Sequence, residues 1–185
     1  MRIISGSARG RKLKEPSSLS IRPTSDMVKE SVFNIVQFDL EGRRVLDLFA
    51  GTGQLGIEAL SRGAKSAVFV DSKPEALKLI RENLKLSGFS DSASVYAGDA
   101  MKYLAGDSRR KNERFDIVFI DPPYDAGLTG NALFKIIEFD KLNPNGIIIC
   151  ELKAECVAPE VAPPYHIKKE YRYGSVKIIR IERSA

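Results

Sequence analysis

The sequence predicts an α/β fold: an open, mostly parallel Rossmann-like sheet that ends in an antiparallel C-terminal hairpin. Three observations carry this expectation. From Arg43 onward, short apolar runs alternate with amphipathic stretches, the pattern of repeated β–α units. The runs Arg44–Phe49, Phe115–Ile120 and Gly146–Glu151 are nearly continuous in apolar residues, as strands covered on both faces must be. A glycine-rich loop follows the first run and opens a helix, where an open α/β sheet binds its ligands.

Each element has its own signal. Arg2–Ser5 and Arg11–Lys14 read as short strands of a basic hairpin around Ser7-Ala8-Arg9-Gly10, and residues 15–25, rich in serine with Pro16 and Pro23, as a linker. A helix follows, capped by Thr24 or Ser25, with Asp26 in its first turn and Val28, Val32, Ile35 and Val36 on one face. Arg44–Phe49 is the first strand of the sheet, and Gln54–Ser61 a helix stopped by Gly63. Ala67–Asp71 is the second strand. Ser72-Lys-Pro-Glu75 reads as a capping box for a helix that turns Ala76, Leu77, Ile80 and Leu84 inward and ends at Gly88. Ala93–Ala97 is the third strand, followed by a short helix from Met101 to Leu104. Phe115–Ile120 is the fourth strand, Leu128–Phe139 a helix and Gly146–Glu151 the fifth strand. Tyr165–Tyr173 and Ser175–Ile181 flank Gly174 as the terminal hairpin. The expected division is an N-terminal extension over residues 1–40 and a nucleoside-binding sheet domain over 41–185.

Composition narrows the function classes. A chain of 185 residues fits one domain with a small appendage, and 43% hydrophobic with 29% charged residues excludes collagen-like, coiled-coil and wholly disordered chains. No apolar run approaches the roughly 18 residues that span a bilayer, and Met1–Gly6 lack a signal-peptide core. Cys150 and Cys156 suit a reducing compartment, so a cytoplasmic protein is expected. A zinc enzyme built on histidines, or a Ser-His-Asp hydrolase, would have to use His166, the one histidine; no metal is expected. Charge is unevenly placed: +5 over residues 1–22, −4 over 23–164 and +4 over 165–185. Charge alone leaves two readings open, a polyanion gripped by basic termini or a solvated surface. The exposed basic ends favour a monomer.

The chemistry concentrates at the strand ends. The first strand runs into Asp47-Leu-Phe-Ala-Gly51-Thr-Gly53-Gln-Leu-Gly56, a G-x-G-x-x-G loop that lets a ligand approach the backbone. Asp71, at the tip of the second strand, can accept hydrogen bonds from both ribose hydroxyls of a nucleoside cofactor. Asp99 ends the third strand. Asp47 discriminates among cofactors. Its charge repels a pyrophosphate, which prefers bare helix amides, and suits the sulfonium and amino group of S-adenosylmethionine. It also fits a purely local role, an acid that props up the glycine loop, and the two roles are compatible.

The fourth strand ends in Asp121-Pro122-Pro123-Tyr124. The prolines hold Asp121 and Pro122 extended. The Asp121 carboxylate and the Pro122 carbonyl are then available acceptors, and Tyr124 a flat face. This set suits a planar base with an exocyclic amine. Two acceptors aimed at the amine N–H bonds localise a lone pair otherwise delocalised into the ring, and a stacked tyrosine fixes its approach to a methyl group. Asp121 orients and polarises the amine rather than acting as a strong base.

These motifs resemble those of class I S-adenosylmethionine-dependent amino-methyltransferases acting on nucleic-acid bases. Arg2-Ile-Ile-Ser-Gly, Arg9-Gly-Arg-Lys-Leu13, Arg22-Pro-Thr-Ser-Asp26, Lys29-Glu-Ser-Val-Phe-Asn34 and Leu46–Ala64 are further similar to the RsmD family. That resemblance spans nearly the whole chain and implies methylation of the N2 amine of one guanine in 16S ribosomal RNA, free or in a small-subunit assembly particle. It implies that Asp47, Gly51 and Gly53 line the methionine end of the cofactor, with Phe49, Thr52 and Ser72 also among the cofactor-binding residues. Asp71 would hold the ribose, and Asp99 and Ala100 border the adenine. Asp121, Pro122 and Tyr124 would hold the target base, and Arg9, Arg11, Lys12 and Arg22 the RNA. Thr24 more simply caps the helix, and Asn34 either faces the cofactor or closes a helix end.

Three other functions share parts of the pattern. Methylation of adenine N6 also uses D-P-P-Y but would need a separate specificity domain or inserted recognition loops, neither of which is evident in so short a sequence. A NAD-dependent dehydrogenase shares the glycine loop, but Asp47 and the missing hydride-relay histidine or lysine argue against it. A non-catalytic RNA-binding module with a relic loop would not need D-P-P-Y. Among smaller features, Cys150 reads as core, Cys156 as a loop thiol and His166 as a strand residue. Arg109-Arg110-Lys111 reads as a solvated run, and Tyr171 with Tyr173 as core packing.

Overall fold

The structure, a computed structural model, describes residues 1–16, 26–106, 112–123 and 126–184. Arg22, Thr24, Tyr124 and Arg109-Arg110-Lys111 lie outside the described residues. In chain order the elements are α1 (Asp26–Ile35), β1 (Arg44–Leu48), α2 (Gln54–Ser61), β2 (Ser66–Asp71), α3 (Pro74–Ser87) and β3 (Ala93–Ala97). Then come α4 (Ala100–Ala105), β4 (Phe115–Ile120), α5 (Ala126–Glu138), β5 (Leu142–Lys153), β6 (Tyr165–Tyr173) and β7 (Val176–Arg183).

The strands form one sheet in the order β3-β2-β1-β4-β5-β7-β6. β1 to β5 are parallel, and β7 runs antiparallel between β5 and β6. The expected mixed sheet with a C-terminal antiparallel hairpin is therefore present. Alternation along each strand divides the core into two layers. Val45, Phe69, Ile117, Phe119 and Ile149 face a layer that holds α1, α2 and α3. Leu46, Leu48, Val118, Ile120 and Ile148 face α4 and α5 on the other side. The strand order turns back between β1 and β4, so the crevice beyond their carboxyl ends is the topological switch point.

The N-terminal hairpin is smaller than the sequence implies: Arg2 and Lys12 form a single antiparallel bridge rather than two strands. Its turn is devoted instead to packing on the sheet domain. Ile3, Ala8 and Leu13 are buried in the same layer as α1 and α2. Glu58, wholly buried on α2, accepts the amides of Ile4 at 2.8 Å and Ser5 at 2.9 Å. Ser61 takes the Ala8 amide at 3.0 Å and donates to the Ser5 carbonyl at 2.6 Å. Gly6, at φ +84°, lies so close to α2 that a Cβ would stand 1.8 Å from the Ser61 carbonyl oxygen.

Two local expectations are corrected. Ser72 and Glu75 do not form a capping box: the N-cap of α3 is Lys73, which makes no side-chain capping bond. The Asp71 carboxylate takes the Lys73 amide at 2.9 Å and Pro74 brings no amide of its own, so little is left for Ser72 to cap. Phe49 is not strand: it turns left-handed at φ +64° to start the glycine loop.

The positive charge of the C-terminal hairpin also divides. Lys177 is buried, donating to the Cys156 carbonyl at 2.7 Å and pairing with Glu170 at 3.3 Å. Arg180 binds Asp39 at 2.9 Å and the Ile35 carbonyl at 2.8 Å, joining β7 to α1. Arg183 binds Asp140 and the Leu142 carbonyl. These cations brace the fold, and Lys168, Lys169 and Arg172 remain exposed on β6. Cys150 is buried, Cys156 half-buried, and Tyr171 and Tyr173 pack against the α1–α2 layer.

Candidate active site at the carboxyl edge

The parallel register brings the sequence-predicted acids together. Asp47 pairs with Phe69 on β2 and Phe119 on β4, one residue short of the strand's end. Asp71 pairs with Ala97 at the ends of β2 and β3, and Asp121 follows Ile120, which is in register with Leu48. One edge of the sheet thus carries Asp47, Asp71, Asp99 and Asp121.

The glycine loop rises from the middle of this edge. Phe49, Gly51 and Gly53 have φ of +64°, +54° and +76°, so three of five successive residues take the left-handed conformation. The turn is held from both sides. Ala50 donates to the Val70 carbonyl at 3.0 Å, Gly53 to the Ala50 carbonyl at 2.7 Å, and Gly51 to the Asp71 carboxylate at 2.9 Å. Gly56 has a separate reason: a Cβ there would stand 2.3 Å from the Phe69 ring, so only glycine lets α2 lie this close to β2. The same close approach brings the Gly56 amide within 2.8 Å of Asp47 Oδ2.

Asp47 is buried, and burial pushes its carboxyl well above the usual aspartate range. The Gly56 amide opposes that shift, while the charges of Asp121 and Asp71 add to it. Asp47 therefore props up the loop and also shares a field with two other acids. A pocket edge that carries Asp71, Asp99 and Asp121 disfavours a pyrophosphate and fits a cationic ligand, so the residues present suit S-adenosylmethionine. Both Asp71 oxygens already accept one amide, Gly51 and Lys73, and each keeps a further lone pair for a ribose hydroxyl.

The remaining expected residues vary in placement. Thr52 is buried within the loop, Ser72 is exposed, and Ala100 is buried at the start of α4. Asp99 is exposed and caps α4, accepting the Lys102 amide at 2.9 Å. Asp121 is half-buried, Pro122 buried and Pro123 exposed. Arg9 and Lys12 are exposed on the hairpin, whereas Arg11 donates to the Ser87 carbonyl at 2.6 Å and closes the end of α3. Asn34 is exposed on α1.

Sequence reasoning overlooked two residues beneath the site, Glu58 and Asn83. Both had a visible signal. Asn83 lies three residues after Ile80 and four before Ser87, on the apolar stripe of α3, and Glu58 places a charge among Leu55, Ile57, Ala59 and Leu60 of α2. A polar side chain on a buried stripe needs partners from elsewhere in the chain.

The chain matches, over residues 1–182, the family model described as conserved hypothetical protein 95. The Bacillus subtilis protein YlbH is 41% identical over 174 residues, 94% of each chain. The Escherichia coli ribosomal RNA small subunit methyltransferase D is 34% identical over 185 residues, 100% of this chain and 91% of that one. The solved structure of Escherichia coli yhhF superposes with a TM-score of 0.87 at 33% identity, covering 100% of this chain and 98% of that one.

Proposed function

As the chain belongs to the conserved hypothetical protein 95 family, also called the RsmD family, it is a methyltransferase, and we propose that it methylates the N2 amine of one guanine in 16S ribosomal RNA. S-adenosylmethionine supplies a methyl group made electrophilic by its sulfonium. The observation that carries the reading is the row of acids at the carboxyl edge, where the parallel register brings Asp47, Asp71, Asp99 and Asp121 together. A cation relieves that crowding.

Each residue then has a task. Asp47 and the loop Phe49–Gly53 face the cationic end of the cofactor. Asp71 and Ser72 hold the ribose, and Asp99 with Ala100 borders the adenine. Asp121 and the Pro122 carbonyl accept the two amine N–H bonds of the guanine and turn the nitrogen lone pair toward the methyl group. Tyr124, two residues after Pro122 in the sequence, stacks on the base. The guanine reaches this pocket unpaired or flipped from its stack, at a cost of a few kcal/mol. Exposed Arg9, Arg11 and Lys12, with Arg22 beyond them in the chain, bind phosphates and position the RNA without reading its sequence. Residues 1–40 are thus the capture element and 41–185 the cofactor and base element, acting as a monomer in the cytoplasm.

The decisive experiment is transfer of labelled methyl from S-adenosylmethionine to small-subunit RNA or particles from cells that lack this protein, followed by nucleoside analysis. N2-methylguanosine at a single position is expected. N6-methyladenosine would move the target to adenine, and no transfer at all would overturn the reading. Asp121→Asn is expected to cut turnover severely with little change in cofactor affinity; near-full activity would show the carboxylate charge to be dispensable.

A further inference from the structure

Asn83 has no place in the chemistry just described, yet it is wholly buried on α3 with both its amide oxygen and its amide nitrogen hydrogen-bonded. Oδ1 accepts the Lys14 amide at 2.7 Å. Nδ2 donates to the Lys14 carbonyl at 3.2 Å and to the Thr52 carbonyl at 3.0 Å. One rigid, planar group therefore grips both backbone atoms of the residue that leads out of the hairpin and, on its other side, the residue between Gly51 and Gly53. Asparagine is a poor helix former, and the stripe it occupies is otherwise suited to leucine. Its partners on Lys14 and Thr52 are 69 and 31 residues away, so it serves neither α3 nor a local turn.

We infer that Asn83 is a positioning residue that couples RNA on the N-terminal hairpin to cofactor in the glycine loop. The inference rests on the proposed function for the identity of the two ligands. The coupling is mechanical. The planar amide cannot shift toward Lys14 without shifting relative to Thr52. Thr52 sits between two left-handed glycines, so the direction of its carbonyl sets the direction of the loop's neighbouring amides. RNA that fixes the hairpin exit thereby fixes the loop, and a cofactor that fixes the loop fixes the hairpin exit. Linkage makes the two effects equal in size.

The test measures binding of S-adenosylhomocysteine to the full chain with and without 16S ribosomal RNA, in the wild type and in Asn83→Leu. RNA is expected to tighten binding about five-fold or more in the wild type, the usual lower range for coupled sites. In Asn83→Leu this factor is expected to fall to about one while RNA affinity alone changes little. A merely structural role would weaken both affinities together and leave their ratio intact, which would overturn the inference. Amide hydrogen exchange of the wild type makes the test independent of how well the variant folds. S-adenosylhomocysteine is expected to slow exchange at the Lys14 amide, and an unchanged rate there also overturns the inference. A wild type that binds both ligands without coupling sinks the inference alone; one that binds neither sinks the proposed function with it.

Discussion

The carboxylate of Asp71, at the tip of β2, accepts the amide of Gly51 at 2.9 Å, so the second strand holds the loop that follows the first. The link runs backward across 20 residues and a whole β–α unit. It places the carboxylate beside the loop it stabilises and leaves lone pairs directed past it. A single acid thereby shapes the floor of the pocket and faces what enters it.

Asp71→Ala removes both functions. A hydrogen bond to a charged group is worth about 1.5–3 kcal/mol, so affinity for S-adenosylhomocysteine is expected to fall about 10- to 100-fold. Calorimetric titration reads it directly. An affinity within two-fold of the wild type would show that the loop holds its shape without β2.

Asp47 should make both stability and binding depend on pH. Burial, with the charges of Asp121 and Asp71, raises its value in the folded chain above that in the unfolded chain. The stability this confers is complete below the ordinary aspartate value of 3.8 and is lost as pH rises through the raised value. Asp47→Asn should flatten that decline in a series of melting curves. Binding of a cationic cofactor favours the carboxylate and should release a proton, visible as a dependence of binding heat on the buffer's ionisation enthalpy. Identical pH profiles for the two proteins would rule out Asp47 as the source.

Glu58 joins the hairpin to the sheet domain through two backbone amides and also pairs with Arg62 at 2.9 Å. Removing one member of a buried pair strands the other, at about 3–5 kcal/mol. Glu58→Ala should cost about 3 kcal/mol in urea denaturation, because Arg62 keeps its place over the Phe33 ring. RNA affinity should fall more than cofactor affinity. A loss under 1 kcal/mol would mean that Ser61 and the core hold the hairpin unaided.

Gly56→Ala drives a methyl group to 2.3 Å from the Phe69 ring. Overpacking of this kind costs about 1–3 kcal/mol. The shift of α2 it forces also lengthens the Gly56–Asp47 bond. Phe69→Leu in the same chain should restore part of the loss, measured as midpoint and as methyl transfer. A double variant no better than the single one would place the strain elsewhere.

The sheet was legible wherever burial on both faces left a continuous apolar run: β4 coincides with the run Phe115–Ile120, and α2 with Gln54–Ser61. The acids of the site were legible because strand ends are marked by the residues that stop them. What escaped was tertiary. The lost capping box at Ser72 depended on Asp71 being free to turn toward Lys73. The role of Asn83 depends on Lys14 and Thr52, and no local pattern connects them. The basic C-terminus read as one surface, yet Lys177, Arg180 and Arg183 turn toward Glu170, Asp39 and Asp140. Sequence records how much charge a segment carries, but only packing decides which of it faces outward.

The place of β7 has a consequence for how the chain is made. β7 lies between β5 and β6, so during synthesis β6 leaves the ribosome before the strand that will bind it exists. Until residues 176–183 follow, Ile178, Ile179 and Ile181 cannot close the core and β6 has no neighbour. The first five strands can pair as they emerge, each soon after the last. Assembly of this edge must wait until β7 has been made, and a chain cut before Val176 would present β5 as a bare edge open to the wrong partner.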